Sequence, residues 1–151
     1  MRVPGGRVSG PVVTLPKGRI ADGRVLPYTQ YMVRVIQEHG VTIVCTGPSY
    51  AALELRALEE LGESLLSEAT NASPPRLIVD MSETGFVGSS FIELLVRAWK
   101  RIQSRHGMMT LCAVRPFCHE VLSVSRLDTI WPIYASREEA LNALAALSEG
   151  V

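Results

Sequence analysis

The apolar run Leu77-Ile78-Val79, closing on Asp80, constrains the fold more than any other feature of the chain. Pro74-Pro75 ahead of it forbids a continuous helix and a polar turn follows it at once, so it reads as a buried strand. Segments of helical periodicity lie on both sides. Ala51 to Ala69 repeats Leu55, Leu58, Leu61, Leu65 and Ala69 among glutamates, with Ser49 as its expected N-terminal cap. Ser90 to Arg105 carries Phe91, Leu95, Ala98, Trp99 and Ile102 on one face. Its last turns hold Lys100, Arg101 and Arg105, cations suited to the negative end of the helix, and Gly107 follows where a left-handed C-cap is expected. A strand held between two such helices belongs at the centre of a sheet.

The alternation continues in both directions. From Tyr31 to Gly47, two β-rich runs are split by Glu38-His39-Gly40, a hairpin whose glycine supplies the turn backbone. Met109 to Val114 is another apolar strand. Pro116 opens a shorter helix, Phe117 to Val124, with Phe117, Val121 and Val124 as its expected inner face. Pro132-Ile133-Tyr134 reads as a last short strand, and Ser136-Arg137-Glu138-Glu139 as a capping box leading into Ala140 to Leu147. The order β-β-α-β-α-β-α-β-α predicts an α/β fold: a mostly parallel sheet with an antiparallel edge, covered by helices.

Residues 1–30 differ, with five glycines, four prolines and almost no acid. They are expected to be a loosely ordered extension of a domain spanning 31–151, with Val12 to Leu15 a candidate edge strand. A total of 151 residues suits one domain. Lysine plus arginine equals aspartate plus glutamate at 15 each, so the chain lacks the field with which nucleic-acid binders collect phosphates. The N-terminal stretch has no apolar h-region, and nowhere is there the run of ~18 apolar residues needed for a membrane span. A cytoplasmic protein with no membrane insertion is expected.

Cys45, Cys112 and Cys118 cannot all pair and are expected to be buried thiols. His39, His106 and His119 are scattered without metal-binding spacing, and Gly85 and Gly88 form neither a dinucleotide fingerprint nor a P-loop, so neither metal nor cofactor is expected. Asp80 with Glu83 has no accompanying base and is expected to be a solvated turn pair. Trp99 and Phe117 are expected in the core, with Trp131 more open.

The informative place is the loop after the central strand, because ligands and partners of open α/β sheets meet the carboxyl ends of strands. Ser90-Phe91-Ile92-Glu93 fits the S-x-x-E capping box, which occupies Ser90. Ser89, preceded by Gly88, is left with a free hydroxyl. A phosphate there would sit at the positive end of a helix and add roughly two negative charges next to Glu93, switching a docking surface without remodelling the fold. On local sequence the plain alternative stands beside this: Gly88-Ser89-Ser90 is only a turn and a cap.

The run LIVDMSETGFVGSSFIELLVRAWKR resembles the signature of STAS domains, a strand ending in Asp, a short loop, then Asp-Ser-Ser-Gly opening a helix. RLDTIWPIYASREEALNAL resembles the closing strand and helix of that family, and the similarity covers Tyr31 to Leu147. For members of the anti-sigma factor antagonist type it implies binding to an anti-sigma factor that is itself a serine kinase, release of a sigma factor, and a serine phosphatase as a further partner. It implies Ser89 as the phosphoacceptor. Gly88, Ser90, Phe91, Ile92 and Glu93 become partner-binding positions, with Asp80 at the end of the central strand and Gly47 in the early loop. Gly88 stands where the family usually has Asp and Phe91 where it has Gly, while the family's acidic early-loop position falls near Tyr50. The resemblance therefore also admits a STAS adaptor that is not phosphorylated, in a signalling assembly or a lipid-transport ABC system. A small flavodoxin-like enzyme, which would need a bound cofactor, is a third reading. The leading expectation is a binding protein without catalysis.

Overall fold

The computed structural model describes residues 33–51 and 54–149, and the backbone of the segments 12–14, 20–21 and 24–25; for 147–149 too it is the backbone that is described. In chain order the strands are β1 (Val12–Thr14), β2 (Ile20–Ala21), β3 (Arg24–Val25), β4 (Arg34–Glu38), β5 (Val41–Cys45), β6 (Ser49–Tyr50), β7 (Arg76–Asp80), β8 (Phe86–Val87), β9 (Met108–Cys112) and β10 (Ile133–Tyr134). The helices are α1 (Leu55–Asn71), α2 (Ser89–Ser104), α3 (Pro116–Val124) and α4 (Arg137–Glu149), with a 3-10 turn at Leu127–Thr129.

The hairpin forms where expected. His39 and Gly40 both take left-handed backbone (φ 54° and 76°), which matches the twist of a two-residue turn and sets Glu38 opposite Val41. A six-stranded sheet runs β1-β4-β5-β7-β9-β10. The β1–β4 and β4–β5 ladders are antiparallel and the other three are parallel, as helical crossovers require. Val12–Thr14 thus adds an edge strand. Strands β2 and β3 pair with each other, and β6 pairs with β8 in a separate parallel ribbon.

Side-chain alternation divides the core in two. Val35, Val44, Leu77, Val79, Met109 and Leu111 face α1 and α2, where they meet Leu61, Leu65, Leu95 and Ile102. Ile36, Ile43, Cys45, Ile78 and Cys112 face Ala140, Leu141 and Leu144 of α4. All three cysteines are buried free thiols, matching the expectation of structural burial. Among the described residues no helix is long and apolar enough to cross a membrane.

Several local expectations are corrected. Helix α1 begins at Leu55 and is not capped by Ser49, because Ser49 and Tyr50 pair instead with Phe86 and Val87. At the end of α2 the left-handed position falls on His106 (φ 59°); Gly107 N–H donates to Ile102 O and His106 N–H to Gln103 O, the two bonds of a Schellman ending. Gly107 is needed for a different reason: a Cβ there would lie 2.1 Å from the Pro75 carbonyl oxygen. Arg101 and Arg105 do not serve their own helix end but reach across to the Leu66 and Ala69 carbonyls in the last turns of α1, which carries no basic residue in its last turn. On α3 the inner face is Cys118 and Leu122, while Phe117 and Val124 are exposed. Trp131 is only 1% exposed and meets Trp99 edge-on at 6.3 Å, so it belongs to the core that Phe117 leaves. The closing cap is close to expectation: Glu139 N–H donates to Ser136 Oγ, and the Glu139 carboxylate accepts from Ala135 N–H.

Candidate functional site

The carboxyl ends of β5 and β7 feed two loops that are stitched together. Thr84, fully buried, donates its hydroxyl to Gly47 O and shares a hydrogen bond with Thr46 Oγ1, which donates to Asp80 O. Gly85 N–H donates to Pro48 O and Gly88 N–H to Tyr50 O, continuing the β6–β8 ribbon. Tyr50 is buried beneath it. Its hydroxyl accepts from Gly47 N–H at 2.6 Å and its ring lies 4.9 Å from that of Phe91. Burial above all, with the charge of Glu60 adding, pushes the Tyr50 phenol up to about 12 despite the lowering effect of that amide. Tyr50 is therefore a neutral pillar that holds the early loop against the start of α2.

Asp80 closes the opposite side. It is 4% exposed, its Oδ1 accepts from Ser82 N–H at 2.9 Å, and its Oδ2 takes Arg137 Nε and Nη2, each at 2.9 Å. The expected solvated Asp80–Glu83 pair does not form, because α4 presents Arg137 to Asp80 and Glu83 turns outward to Arg34 at 3.5 Å. Arg137 Nη2 also approaches Cys45 Sγ at 3.3 Å. Arg115 fastens the loop from α3, its Nε donating to Ser82 O at 2.9 Å.

Out of this frame α2 emerges. Gly88 is the extended N-cap residue, no side chain caps the helix, and the first intrahelical bond runs from Ile92 N–H to Gly88 O. The expected capping box between Ser90 and Glu93 is absent: the helix starts one residue earlier, so Ser89 and Ser90 occupy its first two positions. Both are exposed, and neither hydroxyl has a hydrogen-bond partner among the described residues. The amides of the first turn, Ser89, Ser90 and Phe91, have no carbonyl partner within the helix, and no acidic side chain lies in that turn to offset their positive potential. Such a helix mouth stabilises an anion.

The expected contact positions separate into two groups. Gly88, Ser89, Ser90, Ile92 and Glu93 reach the surface wholly or in part. Phe91, Asp80 and Gly47 do not: Phe91 is fully buried against Tyr50, Asp80 is sealed by Arg137, and Gly47 is buried with its backbone bonded to the Tyr50 and Thr84 hydroxyls. These three shape the surface from below. Sequence reasoning missed the pillar role of Tyr50, the Asp80–Arg137 pair and an exposed stacked pair, Phe86 on Phe117, because each joins residues far apart in sequence.

Comparison with known proteins agrees with this architecture. The STAS domain model matches residues 31–140. A solved anti-sigma-factor antagonist (STAS) domain protein from Planctomyces limnophilus superposes with a TM-score of 0.65 at 39% identity, covering 75% of this chain and 97% of that one. The anti-sigma F factor antagonist of Paenibacillus polymyxa is 31% identical over 72 residues, 48% of this chain and 62% of that protein. BtrV of Bordetella bronchiseptica, described as a candidate anti-sigma factor antagonist, is 25% identical over 81 residues, 54% of this chain and 70% of its own length. The chain belongs to the STAS domain family.

Proposed function

We propose that this protein is an anti-sigma factor antagonist: it binds an anti-sigma factor that is also a serine kinase, is phosphorylated on Ser89, and through that exchange controls sigma-dependent transcription. The observation that carries the reading is the Ser89 hydroxyl, exposed at the first position of α2 and without a hydrogen-bond partner among the described residues. Similarity to antagonists over the same region supports it. Gly88, Ser90, Ile92 and Glu93 form the contact surface, supported from beneath by Phe91, Asp80 and Gly47. A phosphate on Ser89 meets the uncompensated helix dipole but brings about two negative charges to a face that carries Glu93, so it weakens docking. The protein acts by binding, in the cytoplasm, through a domain spanning 31–151 to which residues 1–30 are an extension; a serine phosphatase resets Ser89.

The test is phosphopeptide mapping after incubation with the cognate kinase. Label is expected on Ser89, with none in Ser89→Ala; label at another residue, or none with an active kinase, overturns the switch. Ser89→Asp is expected to weaken calorimetric binding of the partner, and an unaltered dissociation constant counts against the docking surface.

One observation favours a second reading. Gly88 supplies no carboxylate to orient the Ser89 hydroxyl, and Glu93 lies beyond the first turn. A STAS adaptor that binds without being phosphorylated, in a signalling assembly or a lipid-transport ABC system, fits that feature. Partner binding that is identical for wild type and Ser89→Asp, together with no phosphate incorporation, would establish it.

A further inference from the structure

Helix α3 is apolar on two sides. Cys118 and Leu122 face inward and are fully buried, whereas Phe117, Val121 and Val124, spaced by four and three residues, make a second stripe. Phe117 is 46% and Val124 79% exposed. The Phe117 ring stacks on that of Phe86, itself 42% exposed, with centroids 5.2 Å apart and planes within 15°. Phe117, Val121 and Val124 line a shallow groove completed by Glu120 and Ser125. Aromatic pair and groove share Phe117, so they form one strip. Contiguous exposed apolar surface of this kind marks protein docking.

We infer that the partner that reads Ser89 also seats an apolar anchor in this groove, flanked by a cation that meets Glu120. The inference rests on the antagonist reading, and two features choose this occupant. The first is continuity. Phe86 lies three residues before Ser89, at most about 11 Å along an extended chain, so a protein that brings a kinase site to Ser89 covers Phe86 as well. An ordinary interface buries ~800 Å² on each side, far more than one helix turn offers, and the strip supplies area with the aromatic content of binding hot spots. The second is charge. Among the described residues, Glu120 is the ionisable side chain lining the groove, so a complementary surface presents Lys or Arg there. Arg115, its nearest cation along the chain, is turned toward the other loop: its Nε is bound to Ser82 O, and its Nη1 would lie 3.8 Å from a Cβ on Gly85.

Phosphorylation of the full chain by the cognate anti-sigma factor kinase tests this, using Phe117→Ser and the still more exposed Val124→Glu, with unchanged thermal midpoints verifying that both fold. KM is expected to rise about tenfold in each, with kcat within about twofold, as for loss of a binding anchor. Glu120→Lys is expected to raise KM as well. Wild-type KM in both apolar variants, with Ser89 still labelled, overturns the groove and leaves the antagonist reading standing. If no phosphate is incorporated, yet both variants weaken calorimetric binding of that partner about tenfold, the groove stands and the phosphorylation reading falls. Two other occupants would overturn the inference. Self-association in sedimentation that Phe117→Ser abolishes assigns the groove to a second copy; amide shifts confined to residues 1–30 in that variant assign it to the chain's own N-terminal segment.

Discussion

Ser89 and Phe91 stand two positions apart on α2 and end on opposite sides of the surface. Helical geometry turns each successive residue by about 100°, so when Phe91 is drawn onto the Tyr50 ring, Ser89 must point away from the core. The hydroxyl thus owes its exposure to its neighbours' burial. Tyr50 is the decisive neighbour, because it joins the Gly47 amide to the base of α2. Tyr50→Phe keeps the ring and leaves that buried amide without its acceptor, so it is expected to cost about 1–3 kcal/mol, read as a lower denaturant midpoint at unchanged m-value. An unchanged midpoint would show that the hydrogen bond contributes nothing. Ser89 as a free hydroxyl was legible from Gly88-Ser89-Ser90, but for a different reason from the one the sequence suggests. The sequence offers Ser90 as a cap that leaves Ser89 spare; in the fold neither serine caps, and both are spare.

At the scale of elements, α3 shows where periodicity loses its power. Its nine residues carry two apolar stripes, Phe117-Val121-Val124 and Cys118-Leu122, and a pattern of period 3.6 cannot say which one the sheet will take. Packing decides for Cys118 and Leu122: the Cys118 thiol donates to Thr84 O, and both residues share one core cluster with Trp131. The two assignments predict opposite mutational costs. Leu122→Ala is expected to destabilise by about 2–5 kcal/mol and Val124→Ala by no more than about 0.5 kcal/mol; chemical denaturation distinguishes them, and a larger loss at Val124 would reverse the helix. Helix α4 is tied to the sheet by the Arg137 clamp on Asp80. Arg137→Met removes the partner of a buried carboxylate, and is expected to cost about 2–3 kcal/mol, below the ~3–5 of a fully buried pair because a third of Arg137 remains exposed. The effect should vanish in an Asp80→Asn background if the clamp acts as one unit.

The whole molecule carries its thiols and its buried phenol in the neutral form. Burial, with Asp80 adding and Arg137 opposing, pushes the Cys112 thiol from its ordinary 9.0 up to about 12, and burial likewise raises Cys45 and Cys118. Above pH 9 the unfolded chain therefore loses protons that the folded chain keeps. Their contribution is complete below pH 9 and declines toward pH 12, by at most about 1.4 kcal/mol per pH unit for each such group. Thermal midpoints measured from pH 7 to 11 are expected to fall beyond pH 9, and Cys112→Val to fall less steeply. Equal slopes would mean that Cys112 ionises as freely in the folded protein as in the unfolded one.

The order of strands and helices lay open in the sequence because it rests on local quantities: side-chain periodicity, prolines that end helices and glycines that permit turns. Leu77-Ile78-Val79-Asp80 could be recognised as the sheet centre before any partner strand was known, and the loop after it as the place to look for function. The β6–β8 ribbon, the inward stripe of α3, the burial of Trp131 and the pairing of Asp80 with Arg137 were decided only in the tertiary structure. Each depends on a contact between residues 32 to 57 positions apart or on competition among side chains for one volume, and neither distance nor volume is defined until the chain has closed on itself.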